Sequence, residues 1–260
     1  VIAEGGLDGV DMAFGIHVWN ELPVGTVAVT SGGIMAGVVE VQFTVRGRGG
    51  HGALPDRALD PIVAGAELVL ALQTIASRRT SPFDPVVVTI GSFRAGEAFN
   101  VIPEAATLVG TVRTFSVETE RAVEKELRQI AEGVAGATGC TIDVAWHRYA
   151  GPTVNDADVA SRVATAAARV DGIHTVLTDY RTMAGEDFGD ILAAVPGCFV
   201  LLGSAPPDGP PAEPHHSPRF DIDERVLPIA RDLHLAVVAE LTRPGSGADV
   251  TDSNVVDARP

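Results

Sequence analysis

Residues 38–45 read VVEVQFTV, and residues 47–61 read GRGGHGALPDRALDP. Apolar and polar residues alternate over the first segment, which is the period of a half-buried strand. The second segment is rich in glycine, so its backbone can turn tightly and leave the side chain of His51 unshielded. It ends in Asp60-Pro61, and proline is preferred at the first position of a helix. Together the segments predict a strand, an ordered loop that carries His51, and a helix.

Downstream of this loop, apolar spacing predicts two helices and three further strands. The helices cover residues 60–77 and the segment that follows Ser116, which can cap a helix. The strands cover residues 85–93, 106–115 and 140–146. With the first strand, these elements follow the order β-α-β-β-α-β, the ferredoxin-like arrangement. The connection at residues 94–105 is longer than a hairpin needs, which indicates a loop with a function.

Helices and short apolar strands alternate outside this unit. The expected elements are strands at residues 13–19 and 26–30, a helix from 155 or 156 to 170, a strand at 174–177, a helix at 184–195, a strand at 198–203 and a helix at 224–241. Such alternation is typical of an α/β layer. We therefore predict an α/β domain formed by residues 1–37 and 149–243, which the ferredoxin-like unit at residues 38–148 interrupts. Residues 244–260 are polar without periodicity and are expected to be a disordered tail.

The composition excludes several classes of partner. The chain of 260 residues is 46% hydrophobic and 20% charged, as expected of a globular protein. Its net charge of -15 argues against nucleic acid and anionic membranes, because both are polyanions. No apolar run reaches the roughly 18 residues of a membrane helix. The two cysteines, Cys140 and Cys198, lie in apolar runs, which predicts free thiols and a reducing, cytoplasmic location.

Two histidines outside the ferredoxin-like unit are candidate metal ligands. His17 lies in the apolar strand AFGIHVW, and His216 lies in the segment HHSPRFDIDE. If the outer parts of the chain pack together, both can converge at strand ends, where α/β sheets place their sites. Imidazoles with carboxylates nearby suit zinc or a similar metal. The alternatives are a hydrogen-bonded core histidine at position 17 and a solvated loop histidine at position 216.

Other candidate residues also have simpler interpretations. Asn100, in FNVIP, can orient a ligand or satisfy its own turn. Arg113 lies in a predicted strand and can clamp a carboxylate, or it can be an ordinary residue of a sheet surface. Glu186 and Asp187 most simply cap the helix predicted at 184–195. His51 can be an incidental residue of a surface turn.

Five segments of the chain resemble the metal-dependent amidohydrolases of the zinc aminoacylase and carboxypeptidase clan. They are, in chain order, GLDGVDMAFGIHVWNELPVGTVAV, GRGGHGALPDRALDPI, FNVIPEAATLVGTVRTF, MAGEDF and HHSPRFDIDE. The branch that they resemble most is that of hippurate hydrolase and indole-acetyl-amino-acid hydrolase. The resemblance covers the carboxyl-terminal two-thirds of such an enzyme. It implies an incomplete α/β catalytic domain with an inserted domain for dimerisation that also acts as a lid.

The resemblance also implies a metal site. Members of the family that the chain resembles use two divalent metal ions. Zinc is expected here, with manganese, cobalt or nickel as alternatives. By position, His17 and His216 would be metal ligands, and Glu186 would support the ligands from outside the metal's own shell. The family's further ligands and its general base lie in Cys-Gly-His and Glu-Glu motifs upstream of GLDGVD. Those motifs are not in this sequence.

The remaining implied roles concern the substrate, a small N-acyl amino acid or peptide. His51 would reach the site of a second subunit, in a homodimer formed through residues 38–148, and would polarise the scissile carbonyl or hold its oxyanion. Asn100 and Arg113 would bind the substrate carboxylate. The implied reaction is amide hydrolysis by a metal-activated water, with a glutamate as general base. The alternatives are a carboxypeptidase of the same clan and a catalytically incomplete, dimerising scaffold.

Overall fold

The computed structural model describes residues 1–206 and 212–243. The strands are β1 (Ala13–Pro23), β2 (Thr26–Ala28), β3 (Gly32–Met35), β4 (Gly37–Arg46), β5 (Gly50–His51), β6 (Val87–Ala95), β7 (Val101–Ile102), β8 (Ala105–Thr114), β9 (Thr141–Ala150), β10 (Thr153–Asn155), β11 (Thr175–Leu177) and β12 (Gly197–Ala205). The α-helices are α1 (Pro61–Thr74), α2 (Val117–Thr138), α3 (Ala157–Ala167), α4 (Phe188–Ala194) and α5 (Val226–Leu241).

The central part of the chain forms a four-stranded antiparallel sheet with strand order β6-β8-β4-β9. Helices α1 and α2 cover one face, because alternate residues of β4 such as Val41 and Phe43 are fully buried against them. Both helix starts are capped, α1 by the Asp60 carboxylate and α2 by the Ser116 hydroxyl. The sheet order and the two helices are those of a ferredoxin-like unit, as the alternation of elements predicts.

The outer parts of the chain form a second sheet with strand order β1-β12-β2-β11. Strand β12 is parallel to β1 and antiparallel to β2, and β11 is parallel to β2. Cys198, Val200 and Leu202 on β12 pack towards α3 and α5. Phe199 and Leu201 point to the opposite face. The sheet therefore has apolar layers on both sides, as expected of an α/β domain, and the predicted fold class is confirmed.

Strands β3 and β10 form a short antiparallel pair where the chain enters and leaves the central sheet. The buried side chain of Asn155 fixes this pair: its Nδ2 donates to the carbonyls of Thr30 (2.8 Å) and Phe199 (2.9 Å), and its Oδ1 accepts from the Phe199 N–H (2.7 Å). Neither strand was predicted, because three or four residues are too few for a periodic pattern.

One predicted helix starts later than expected. Residues 184–195 were predicted as helical, but α4 begins at Phe188. The backbone of residues 182–184 is held extended instead, since the Thr182 N–H donates to the Ile34 carbonyl (3.0 Å) and the Ala36 N–H donates to the Ala184 carbonyl (2.9 Å). These tertiary hydrogen bonds outweigh the local preference for a helix start that the carboxylates of Glu186 and Asp187 indicated.

Several predictions concern features beyond this architecture. The predicted tail, 244–260, lies outside the described residues. The domain boundaries at residues 38 and 148 stay a prediction. Cys140 and Cys198 are buried free thiols, and the cytoplasmic location inferred from cysteine usage stays a prediction. Among residues 1–206 and 212–243, no helix has the length and apolar character needed to cross a membrane.

Candidate metal and substrate site

Strand β1 directs His17 to one face of the second sheet. Phe14, Ile16 and Val18 pack towards α3 and α5, so the alternation of the strand turns His17 and Trp19 to the opposite face. The His17 Nδ1 lies 2.6 Å from the Val18 carbonyl oxygen. Because a carbonyl can only accept, Nδ1 donates the hydrogen, and Nε2 is the ring nitrogen that remains for another partner. An imidazole held in this tautomer is suited to bind a metal through Nε2.

The loop after β12 brings a further histidine, His215, to this face. The His215 ring is 5.3 Å from the His17 ring and stacks on Trp19 at 4.6 Å. Burial lowers the pKa of His215, and the charges of His17 and His216 lower it further. His216 follows with a positive φ of 68°, a backbone conformation that non-glycine residues rarely adopt. His216 was the predicted ligand and His215 was not predicted, although the doublet HH was the available signal.

Glu186 lies beside the same histidine. Its Oε1 accepts a hydrogen bond from the Phe188 N–H at 3.2 Å, so the side chain caps the start of α4. Burial raises the pKa of Glu186, as does its hydrogen bond with Asp187, whereas the Phe188 N–H and the charge of His17 lower it. Glu186 is therefore a helix cap that lies within electrostatic range of His17, and Asp187 makes no capping hydrogen bond.

His51 and Asn100 lie together in the ferredoxin-like unit. The short strands β5 and β7 pair there, and the Gly52 N–H donates to the Asn100 carbonyl at 2.8 Å. The Ala53 N–H donates to Nδ1 of His51 at 3.0 Å. Nδ1 is thus unprotonated in a neutral ring, and the exposed Nε2 carries the hydrogen. His51 is held as a hydrogen-bond donor that faces solvent.

Arg113 lies on the face of the central sheet that the helices leave open. It lines a depression of about 370 Å³ with Val38, Thr111 and Tyr149 among its neighbours. Its Nε donates to the Thr111 hydroxyl at 3.1 Å, and burial lowers its pKa. Within the described ranges of the chain, no carboxylate forms an ion pair with Arg113. The terminal nitrogens of this guanidinium can therefore bind an external carboxylate.

Gly185 connects Arg113 with the loop of Glu186. A Cβ on Gly185 would lie 2.0 Å from Val38 Cγ2 and 3.2 Å from the Arg113 Nη1. Only glycine permits this close approach between the two sheets. Arg113 is therefore near the group formed by His17, Glu186 and the 213–221 loop. By contrast, none of the hydrogen bonds, ion pairs or ring contacts in residues 1–206 and 212–243 joins His51 or Asn100 to that group.

The donor set fits part of a metal site. His17 lies within electrostatic range of the Glu186 carboxylate, and the His215 ring lies 5.3 Å from the His17 ring. Imidazole and carboxylate donors are the chemistry that zinc and similar ions require. Within the described part of the chain, however, no three His, Cys, Asp or Glu side chains are grouped to hold an ion. The chain therefore presents a partial site.

Comparison with known proteins relates the chain to M20 proteins. Residues 35–138 match the peptidase dimerisation domain of M20 proteins. The N-acetylcysteine deacetylase of Bacillus subtilis (strain 168) is 37% identical over 230 residues, which cover 88% of this chain and 59% of that protein. The IAA-amino acid hydrolase ILR1-like 4 of Arabidopsis thaliana is 32% identical over 261 residues, which cover 99% of this chain and 59% of that protein. The chain is similar to M20 proteins and carries their dimerisation domain.

A solved M20 structure has the same fold. The Bacillus subtilis YXEP protein, described as a dinuclear metal-binding peptidase of the M20 family, superposes with a TM-score of 0.76 at 33% identity. The alignment covers 94% of this chain and 61% of that one. The chain thus spans about three-fifths of the length of the M20 relatives it matches, in their carboxyl-terminal region. The resemblance to a family of amidohydrolases and peptidases is confirmed.

Proposed function

We propose that the chain acts as the carboxyl-terminal part of a metal-dependent amidohydrolase that cleaves N-acyl amino acids. The observation that carries this proposal is the convergence of His17, the 213–221 loop and Glu186, with Arg113 close by at Gly185. The names of the relatives support the substrate class, since one is an N-acetylcysteine deacetylase and another an IAA-amino acid hydrolase.

In this proposal, His17 and His216 are the metal ligands that the chain contributes. The description of the Bacillus subtilis YXEP protein as dinuclear supports two metal ions, and we propose zinc because imidazole and carboxylate donors suit it. When bound, the metals supply Lewis-acid polarisation and a water of lowered pKa. Glu186 holds its carboxylate beside His17 and stabilises the positive charge that gathers there.

The other proposed roles concern the substrate. Arg113 binds the free carboxylate of the acyl amino acid with its terminal nitrogens, and the Asn100 amide donates to the same group. His51 donates from Nε2 to the scissile carbonyl oxygen of a site in a second subunit. A preplaced donor of this kind stabilises the negative charge that develops on that oxygen. The exposure of His51 and its fixed tautomer support this role.

The metal role can be tested in the longest protein encoded by the reading frame that contains Val1. We expect His17→Ala and His216→Ala each to weaken zinc affinity by at least about tenfold. Loss of a residue that only supports a metal ligand already weakens metal affinity by about 10- to 100-fold. Calorimetry measures this affinity, and hydrolysis of N-acetyl amino acids is followed in parallel. His174→Ala is the matched control, since that histidine is exposed and lies beside Gly25, where its N–H donates to the Gly25 carbonyl. Unchanged zinc affinity in both site variants would reject the proposed ligands.

The partner in this proposal is a second copy of the chain, which docks against α1 and the adjacent edge strand β6. Helix α1 is apolar on its outer face as well as its inner one: Ile62, Val63 and Leu70 are exposed. A helix that is apolar all round is normally buried. The outer edge of β6 has no neighbouring strand in the described sheet, and such edges are templates for pairing. The match to a peptidase dimerisation domain supports this choice of partner.

Charged residues on the exposed face of α1 are expected to separate the subunits. The double variant Val63→Asp, Leu70→Asp places two carboxylates where apolar surface would be buried, so it should sediment as a monomer when the unchanged protein sediments as a dimer. Leu235→Asp is the control, because Leu235 is similarly exposed (64%, against 73% for Leu70) but lies on α5. A dimer that persists in the double variant and dissociates in the control would place the interface elsewhere.

A further inference from the structure

We propose that Asn20 is the positioning residue that holds the 213–221 loop so that His216 reaches the site. Asn20 lies on β1, three residues after His17, and is 5% exposed. Its Nδ2 donates to the Glu213 carbonyl at 3.2 Å and to the Asp221 carbonyl at 2.7 Å. A single side-chain amide therefore joins the two ends of the loop.

The backbone and the carbonyl oxygen of Asn20 complete this anchor. The Asn20 N–H donates to Nε2 of His215 at 3.2 Å, which fixes the ring that stacks on Trp19. The Ser204 hydroxyl, at the end of β12, donates to the Asn20 Oδ1. The side chain thus uses both of its N–H donors and its acceptor, and all three partners belong to β12 or to the loop that follows it.

The geometry explains why the loop needs such an anchor. His216 has a positive φ of 68°, which costs backbone energy unless surrounding contacts impose it. Within the loop, the Ser217 N–H donates to the Pro214 carbonyl and the Phe220 N–H to the Ser217 carbonyl. These are local turns, and they do not tie the loop to the sheet. Asn20 makes that connection, so one strand supplies His17 directly and orients His216 through the loop.

This inference rests on the proposed metal role of His216, but its first test does not require metal. In the metal-free protein, we expect Asn20→Ala to increase amide hydrogen exchange at Ser217 and Phe220 by about tenfold or more, because the two carbonyls at the loop ends lose their buried donor. Asn20→Asp fills the same volume without the N–H donors and should give the same increase. Mass spectrometry of peptides from the loop measures both variants.

Asn155→Ala is the matched control. Asn155 is equally buried and also makes three side-chain hydrogen bonds, but these join β10 to Thr30 and Phe199. Its removal should lower the melting temperature without selective exchange in the 213–221 loop. Unchanged loop exchange in both Asn20 variants, or an equal rise in the Asn155 variant, would overturn the positioning role.

The second test measures zinc affinity by calorimetry in the same set of proteins. Asn20→Ala should weaken binding by about tenfold, and excess zinc should restore occupancy, as for outer residues of other metal sites. Excess zinc would not restore a protein that is merely misfolded. If His216→Ala leaves affinity unchanged, the proposed ligand is wrong, whatever Asn20 does. If His216→Ala weakens binding but neither Asn20 variant does, the positioning role is wrong and the proposed function stands.

Discussion

Replacement of His51 by alanine is expected to lower turnover of an N-acyl amino acid by about a hundred- to a thousandfold, the usual cost of removing one oxyanion donor. The effect should fall on kcat more than on KM, because the Nε2–H of His51 would contact charge that is present only in the transition state. The donor character of His51 follows from the Ala53 N–H, which occupies Nδ1. His51→Gln keeps a donor and should retain part of the activity.

A mixing experiment decides whether His51 acts in its own subunit or in the neighbouring one. Neither His51→Ala nor His17→Ala dimers should be active alone. When the two are mixed, each mixed dimer has one site with an intact His17 and a His51 from its partner. Random assembly then restores about a quarter of the original activity, since half the dimers are mixed and each has one competent site out of two. If mixing restores nothing while mixed dimers are shown to form, His51 does not act across the dimer.

His174→Ala mixed with His17→Ala provides the reference for this experiment. His174 is exposed, and among residues 1–206 and 212–243 its one hydrogen bond is from its main-chain N–H to the Gly25 carbonyl. Its variant should therefore be fully active before mixing. A turnover loss below about tenfold in His51→Ala would contradict the assignment of an oxyanion donor.

The longer elements of the fold could be predicted from the sequence because their periodicity and caps agree. The alternation over residues 38–45 and the caps at Asp60 and Ser116 all recur in the structure. The start of α4 could not be predicted, because hydrogen bonds with the main chain of Ile34 and Ala36 decide the conformation of residues 182–184. Those partners are about 150 positions distant, and no local pattern encodes them.

The candidate site could likewise be predicted only in part. Histidines and carboxylates can be selected by residue type, and the structure brings His17 and Glu186 into one group. Asn20 and His215 were passed over because their importance lies in what they touch: the carbonyls of Glu213 and Asp221 in one case and the ring of Trp19 in the other. Every residue has a main-chain carbonyl, so residue type does not show which carbonyls accept a side-chain hydrogen bond. An anchor that works through them becomes visible only when the distances are known.

Arg113 is expected to determine the requirement for a free carboxylate. Loss of one partner from a buried charge pair costs about 2–5 kcal/mol, so Arg113→Met should lower kcat/KM for an N-acetyl amino acid by about 30- to 5,000-fold. The same variant should barely affect the corresponding amide, which has no charge for Arg113 to bind. The preference of the unchanged protein for acid over amide should therefore disappear. Arg113→Lys should be intermediate, because it keeps the charge but loses the planar fork.

The decisive measurement is the ratio of kcat/KM for the acid to that for the amide, because general damage to the protein lowers both values together. Arg46→Met is the control: Arg46 lies at the far end of β4, pairs with Asp143 at 3.0 Å and is exposed. It should leave the ratio unchanged. If Arg113→Met retains the preference for the acid, another cation binds the carboxylate. The location of Arg113 beside Gly185 would then serve only to pack the two sheets together.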